Sequence, residues 1–197
     1  REASEVASLT SVDLQTRLSV SPQRWQFETA DNPYDLNWVL TRIALKGRKG
    51  RSRTLQTRVV VWELADVVGI AERLAAGKRS SWHSRLLDSG LHLHLRRSDD
   101  RGDAFRVVAL AAADGGPLPA DYQPFWRDEW LDTPADGVWG VRMTCSAGAL
   151  GLFASELETE LQAWPPRPWV RPDNGALEMP AAALAWAERH RVVESGG

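Results

Sequence analysis

Few residues in this chain could carry chemistry, and histidine is the first type to weigh. His92 and His94, with His83 nearby, form the tightest group, and imidazole both titrates near neutrality and ligates transition metals. In Leu91-His92-Leu93-His94-Leu95 the period of two predicts leucines on a core face and both imidazoles on a solvent face. The pattern holds no third ligand, so neither metal nor cofactor is expected. Cys145 ends an apolar stretch, where a buried, inert thiol is expected. No serine has the local signature of an activated nucleophile. The acid groups Asp128 with Glu129, and Glu156 with Glu158 and Glu160, suit loops and solvated helix faces, and such pairs are too common to specify glycoside hydrolysis. No catalytic residue emerges, and the expectation is a protein that binds.

Phosphate-binding patterns are equally thin. Gly47-Arg48-Lys49-Gly50 lacks the strand, Gly-Lys-Ser/Thr and helix order of a phosphate-cradling loop. Five of the eight residues from Lys46 to Arg53 are basic, namely Lys46, Arg48, Lys49, Arg51 and Arg53. They could touch a nucleic-acid backbone, and a nucleic-acid-binding module using them is the alternative function. The loop contains neither stacking aromatics nor a recognition helix, so a solvated hairpin tip is the plainer reading.

The elements that must position these residues follow from composition and period. At 197 residues, 43% hydrophobic and 25% charged, the chain is long and apolar enough to bury a core. A net charge of -2, with Lys46, Lys49 and Lys78 the only lysines, favours neither polyanion nor membrane-surface binding. One cysteine excludes an intramolecular disulfide framework. No apolar run approaches the roughly 20 residues that cross a bilayer, and Arg1-Glu2-Ala3-Ser4 has no secretory core although an initiator methionine is missing. The expected location is the cytoplasm.

Alternation predicts four antiparallel strands at about residues 11–19, 25–30, 35–45 and 53–60, the last two joined by the basic loop. From Trp62 to Ala76 the period becomes helical, with Gly77 as the stop. Further strands are expected at 91–96, 104–112 and 138–145, separated by a long aromatic connection after Asp114-Gly115-Gly116-Pro117. A second helix occupies part of 147–163 and ends at Pro165-Pro166. Its start is open, because Gly148 and Gly151 disfavour an early one while Ser155 and Glu158 offer a capping box for a later one. A short helix at about 180–190 could dock the tail. The fold class is α+β, a mainly antiparallel sheet with two principal helices and a short C-terminal helical tail. The organisation is one domain over 1–168 and a tail over 169–197, with no internal repeat evident. The ten scattered tryptophans read as core anchors and interface anchors.

Tyr34-Asp35-Leu36-Asn37-Trp38-Val39-Leu40, then Trp62-Glu63-Leu64-Ala65-Asp66, then a helix closed by Trp164-Pro165-Pro166, together resemble the WapI-type immunity proteins of bacterial polymorphic toxin systems. The resemblance runs from about Arg24 to Pro166, with Asp35, Asn37 and Trp38 its most distinctive cluster. It implies a small cytoplasmic protein that neutralises a toxin by occlusion, without catalysis. The aromatic connection between Ala112 and Val138, and the tail, depart from the family pattern. No toxin-binding residues carry over, since immunity surfaces vary with the cognate toxin. From its own residues, the stretch Tyr122, Phe125, Trp126, Arg127 and Trp130 is the expected contact surface for a protein partner. A flap lining the core is the competing reading of those residues.

Overall fold

A computed structural model describes residues 6–47, 50, 52–85, 91–98, 103–112, 138–181 and 183–186. Strands β1 (Ala7–Thr10), β2 (Arg17–Trp25), β3 (Trp38–Lys46) and β4 (Ser52–Val60) form one antiparallel sheet in sequential order. Helix α1 (Val61–Ala75) follows β4 without a gap. Strands β5 (Ser81–Arg85), β6 (Leu91–Arg97), β7 (Ala104–Ala112) and β8 (Val138–Ser146) form a second sequential antiparallel sheet, and helix α2 (Ala147–Leu161) follows β8 directly. The α+β expectation holds. Four strands and a 15-residue helix therefore occur twice in succession, a repetition of topology with no counterpart in the residues.

One apolar core joins all the layers. Leu9 and Leu18 from the first sheet, Leu93 and Val107 from the second, and Val67 and Phe153 from the helices surround a common interior space. The strands of the first sheet reach it by alternation: Leu18, Val20, Ile43, Leu45, Leu55 and Val59 are buried, with Ser19, Ala44, Gln56 and Arg58 on the alternate positions. The helices meet where Gly151 of α2 faces Ala75 of α1.

The helix ends show why these segments stop and start where they do. Gly77 has φ +72°, its N–H donates to the Leu74 carbonyl at 2.9 Å, and the Lys78 N–H reaches the Arg73 carbonyl at 2.9 Å. This paired arrangement closes α1 at the expected glycine. The early start of α2 is the one adopted: Ser146 is the cap, its Oγ accepting from the Ala149 N–H at 3.1 Å. That bond, together with continuation straight from β8, outweighs the two early glycines.

Three strand expectations are corrected. Residues 11–16 form a turn between β1 and β2, because Ser11 and Asp13 offer their side chains to the backbone: the Thr16 N–H donates to Ser11 Oγ at 3.0 Å and the Gln15 N–H to Asp13 Oδ1 at 3.1 Å. Beyond Trp25 the chain leaves the ladder, since its carbonyls serve side chains from the far end of the chain. Asp35–Asn37 is a 3-10 turn, with β3 beginning at Trp38. Strands β1 and β5 and the two-residue strands β9 (Trp169–Val170) and β10 (Leu177–Glu178) are additional to the expected set. In the tail, Ala183 and Trp186 are buried against the core.

The far-end donors are Arg167 and Trp169, and Asn37 ties the first of them to the entry of β3. Asn37 is fully buried; its Nδ2 donates to the Pro33 and Arg167 carbonyls at 2.8 and 3.0 Å, and its Oδ1 accepts from the Arg167 N–H at 2.7 Å. Arg167 donates to the carbonyls of Phe27, at 2.7 Å, of Glu28, at 3.3 Å, and of Leu36. Its guanidinium also stacks 4.2 Å from the Trp25 ring centre, and Trp25 meets Trp164 edge-on at 5.4 Å. Burial draws the Arg167 guanidinium below its ordinary value, and it remains a cation at neutral pH. Trp169 adds a bond from its ring N–H to the Ala30 carbonyl at 3.0 Å. The loop between β2 and β3 is thus stapled to the segment after α2.

Two substitutions test this packing. Asn37→Ala strands the Arg167 N–H and two carbonyls in a dry site and should cost about 2–4 kcal/mol in urea denaturation. Gly140 in β8 has no room for a methyl group, because a Cβ would lie 2.4 Å from the Ala109 carbonyl oxygen and 2.7 Å from Leu110 Cδ2. Gly140→Ala should lower the melting temperature, followed by circular dichroism, by roughly 3–10 °C.

Candidate binding surface

The residues with chemical potential are mostly taken up by the fold. His92 and His94 are 8% and 4% exposed, contrary to the expected solvent face. The reason is that β6 is an interior strand buried on both sides: Leu91, Leu93 and Leu95 join the main core, while His94 stands opposite the buried Val108, and His92 opposite the buried Leu110. A period-two pattern marks two faces but does not say whether the second is wet. His83 lies on β5 in register with His94. Among the described residues, no group of three or more His, Cys, Asp or Glu side chains could hold a metal ion.

Glu156 accepts a hydrogen bond from the Ser8 N–H at 2.9 Å, so this helix acid covers the free edge of β1. Glu158 and Glu160 are half-buried on the same helix. Tyr122, Phe125, Trp126, Arg127 and Trp130, the expected contact surface, lie outside the described residues, as do Asp128 and Glu129. In the basic hairpin, Lys46 and Arg53 are exposed at the ends of β3 and β4, Gly50 takes a positive φ of 72°, and Arg48, Lys49 and Arg51 lie outside the described residues. No described helix is long and apolar enough to cross a membrane.

The geometry adds a surface that no local motif announces. The first sheet presents its inward face to the core, and its outward face carries no element of the described structure on Arg17, Arg24, Arg42, Lys46 or Arg58, all of which are exposed. Cross-strand pairing assembles them: Arg17 stands opposite Lys46, Ser21 opposite Arg42, and Arg24 and Arg58 flank Leu40 from either side. The outward positions between them are Ser19, Ser21, Leu40, Ala44, Thr54 and Gln56; none is acidic. Arg17 donates to Ser8 Oγ at 2.6 Å, and Arg58 lies over the Trp38 ring at 5.9 Å. Arg24, Arg42 and Lys46 have no ion-pair partner among the described residues. The signal was present in the sequence as alternate-position cations, but only the register brings the residues of three strands onto one face.

The distinctive cluster at 35–38 is structural. The Trp38 ring N–H donates to Asp35 Oδ1 at 3.3 Å, Asp35 is held by Asn32, whose Nδ2 lies 2.6 Å from Oδ2, and Tyr34 packs edge-on against Trp62 at 5.6 Å. These residues fix the entry into β3.

Cys145 is fully buried on β8, and burial pushes its thiol up to about 12 from the usual 9.0. The native protein should therefore resist a thiol-specific disulfide reagent at pH 8 and react only on unfolding. Because the folded state holds this proton more tightly, the thiol's contribution to stability is intact below pH 9 and is lost as the pH rises from 9 toward 12. Alkaline melting curves should show that loss, and Cys145→Ala should flatten it.

A family model described as the immunity protein WapI-like family matches residues 9–165, from β1 to the end of α2 and its closing turn. No curated protein and no solved structure matches the chain. The matched span includes both sheets, both helices and the Asp35-Asn37-Trp38 cluster, and the chain belongs to the WapI-like family of immunity proteins.

Proposed function

We propose that this protein neutralises a toxin by binding it and occluding a surface the toxin needs, in the cytoplasm and without catalysis of its own. The family match over residues 9–165 carries the reading. It is supported by the fate of the reactive side chains: the thiol of Cys145 and the imidazoles of His92 and His94 are buried, and Glu156 serves a strand edge. The exposed cations on the outward face of the first sheet, by contrast, stand on the kind of rigid platform on which a partner can seat.

Co-expression with candidate toxin domains, chosen from neighbouring genes or from proteins captured by pull-down, is the direct test. Growth should be rescued, the two chains should co-elute at a fixed stoichiometry, and toxin activity should fall linearly to zero at that ratio. Inhibition at far below stoichiometric amounts, or a covalent change in the toxin seen by mass spectrometry, would show catalysis and overturn the occlusion reading.

A second reading, nucleic-acid binding through Lys46, Arg48, Lys49, Arg51 and Arg53, draws on the exposure of Lys46 and Arg53. It predicts binding that weakens steeply with salt. Absence of any anisotropy change with single- or double-stranded probes at low ionic strength removes it.

A further inference from the structure

On a chain of net charge -2, the outward face of β1–β4 gathers Arg17, Arg24, Arg42, Lys46 and Arg58 with no carboxylate among its strand positions. This arrangement is costly for the free protein. Arg17 and Lys46 stand directly opposite one another, a placement that destabilises an antiparallel pair. Arg24 and Arg58 are two strands apart, about 10 Å, which is close to the screening length of roughly 8 Å at physiological salt. Among the described residues no acid stands on the strand positions of this face, and Asp66 and Glu72, for example, lie on the exposed side of α1.

We propose that this face is the docking surface for the toxin, and that the toxin meets it with a carboxylate-rich patch. The inference rests on the toxin-binding reading above and specifies where and by what chemistry binding occurs. The face measures roughly 15–20 Å across four strands and about 30 Å along β3, on the order of 500 Å². Its arginines extend that footprint toward the roughly 800 Å² that each partner contributes to a stable complex. Arginine is also the cation best suited to paired hydrogen bonds with carboxylates.

Nucleic acid fits this face less well than an acidic protein does. Single strands are held on aromatic platforms, and the outward positions offer none: Trp38 is 7% exposed beneath Arg58, and the positions between the cations are Ser19, Ser21, Leu40, Ala44, Thr54 and Gln56. The face has no groove walls among the described residues to track a backbone.

The test compares wild type with the triple variant Arg24→Glu, Arg42→Glu, Lys46→Glu, using a catalytically inactivated form of the toxin domain that wild type neutralises on co-expression. These three side chains make no described contact that the fold needs, so the melting temperature should hold or rise. Association should slow by about tenfold or more, and its salt dependence should shrink or invert. Asp66→Arg with Glu72→Arg on α1 should change neither. If the triple variant misfolds, Arg42→Ala with Lys46→Ala supplies the measurement, with an expected loss of about threefold to tenfold in affinity. Lysine substitutions in the toxin's acidic patch should restore binding to the triple variant. Affinity within twofold of wild type for a folded charge-reversed variant overturns this docking surface while leaving toxin binding intact. No binding by wild type overturns the functional reading itself. Submicromolar wild-type binding to a labelled 20-nucleotide strand or duplex, lost in the triple variant, reassigns the face to nucleic acid and also overturns the proposal.

Discussion

The carboxamide of Asn37 is sealed from water and uses both of its ends, donating to the Pro33 and Arg167 carbonyls and accepting from the Arg167 N–H. Its partners at Arg167 lie 130 positions along the chain. Such a group is tolerated in an interior only when every polar atom has its place, so the entry to β3 and the exit from α2 must arrive together. Arg167 and Trp169 extend the constraint to the loop after β2, where side-chain donors replace a strand partner for the carbonyls of Phe27, Glu28 and Ala30. With that loop fixed, β2 and β3 hold their register and the first sheet closes over the core.

The same economy explains why the chemically suggestive residues are silent. Histidines on β6 fill an interior strand, the cysteine packs in β8, and an acid on α2 covers the edge of β1. The charges left exposed on the first sheet differ in kind, because no internal bond accounts for Arg24, Arg42 or Lys46, and their mutual repulsion opposes folding. Features that weaken the free protein without serving its packing are where function is expected to lie.

Much of the fold was legible in local pattern. Period-two stretches marked β3, β4, β6, β7 and β8, and the shift to a 3.6-residue period with Gly77 at its end marked α1. The misses have physical causes. Ser11 and Asp13 turned an alternating stretch into a corner by bonding to its backbone, and Arg167 drew residues 27 and 28 out of the ladder from the other end of the chain. Neither bond is visible to a window of ten residues. The burial of His92 and His94 depended on whether a second face was covered, which alternation does not encode. The basic face was present as Arg17 and Arg24 on β2, Arg42 and Lys46 on β3 and Arg58 on β4, and only strand pairing made it one surface. The family likeness rested on Asp35, Asn37 and Trp38, which prove to be parts of the framework.

The division of labour along each strand of the first sheet has an evolutionary corollary. Odd and even positions answer to different masters: one set is locked into a close-packed interior, while the other projects outward from a backbone whose hydrogen bonds do not depend on it. Substitutions at Arg24, Arg42 or Lys46 can therefore accumulate without passing through an unfolded intermediate sequence. A lineage built on this scaffold is free to change its outward set one side chain at a time while its architecture stays still.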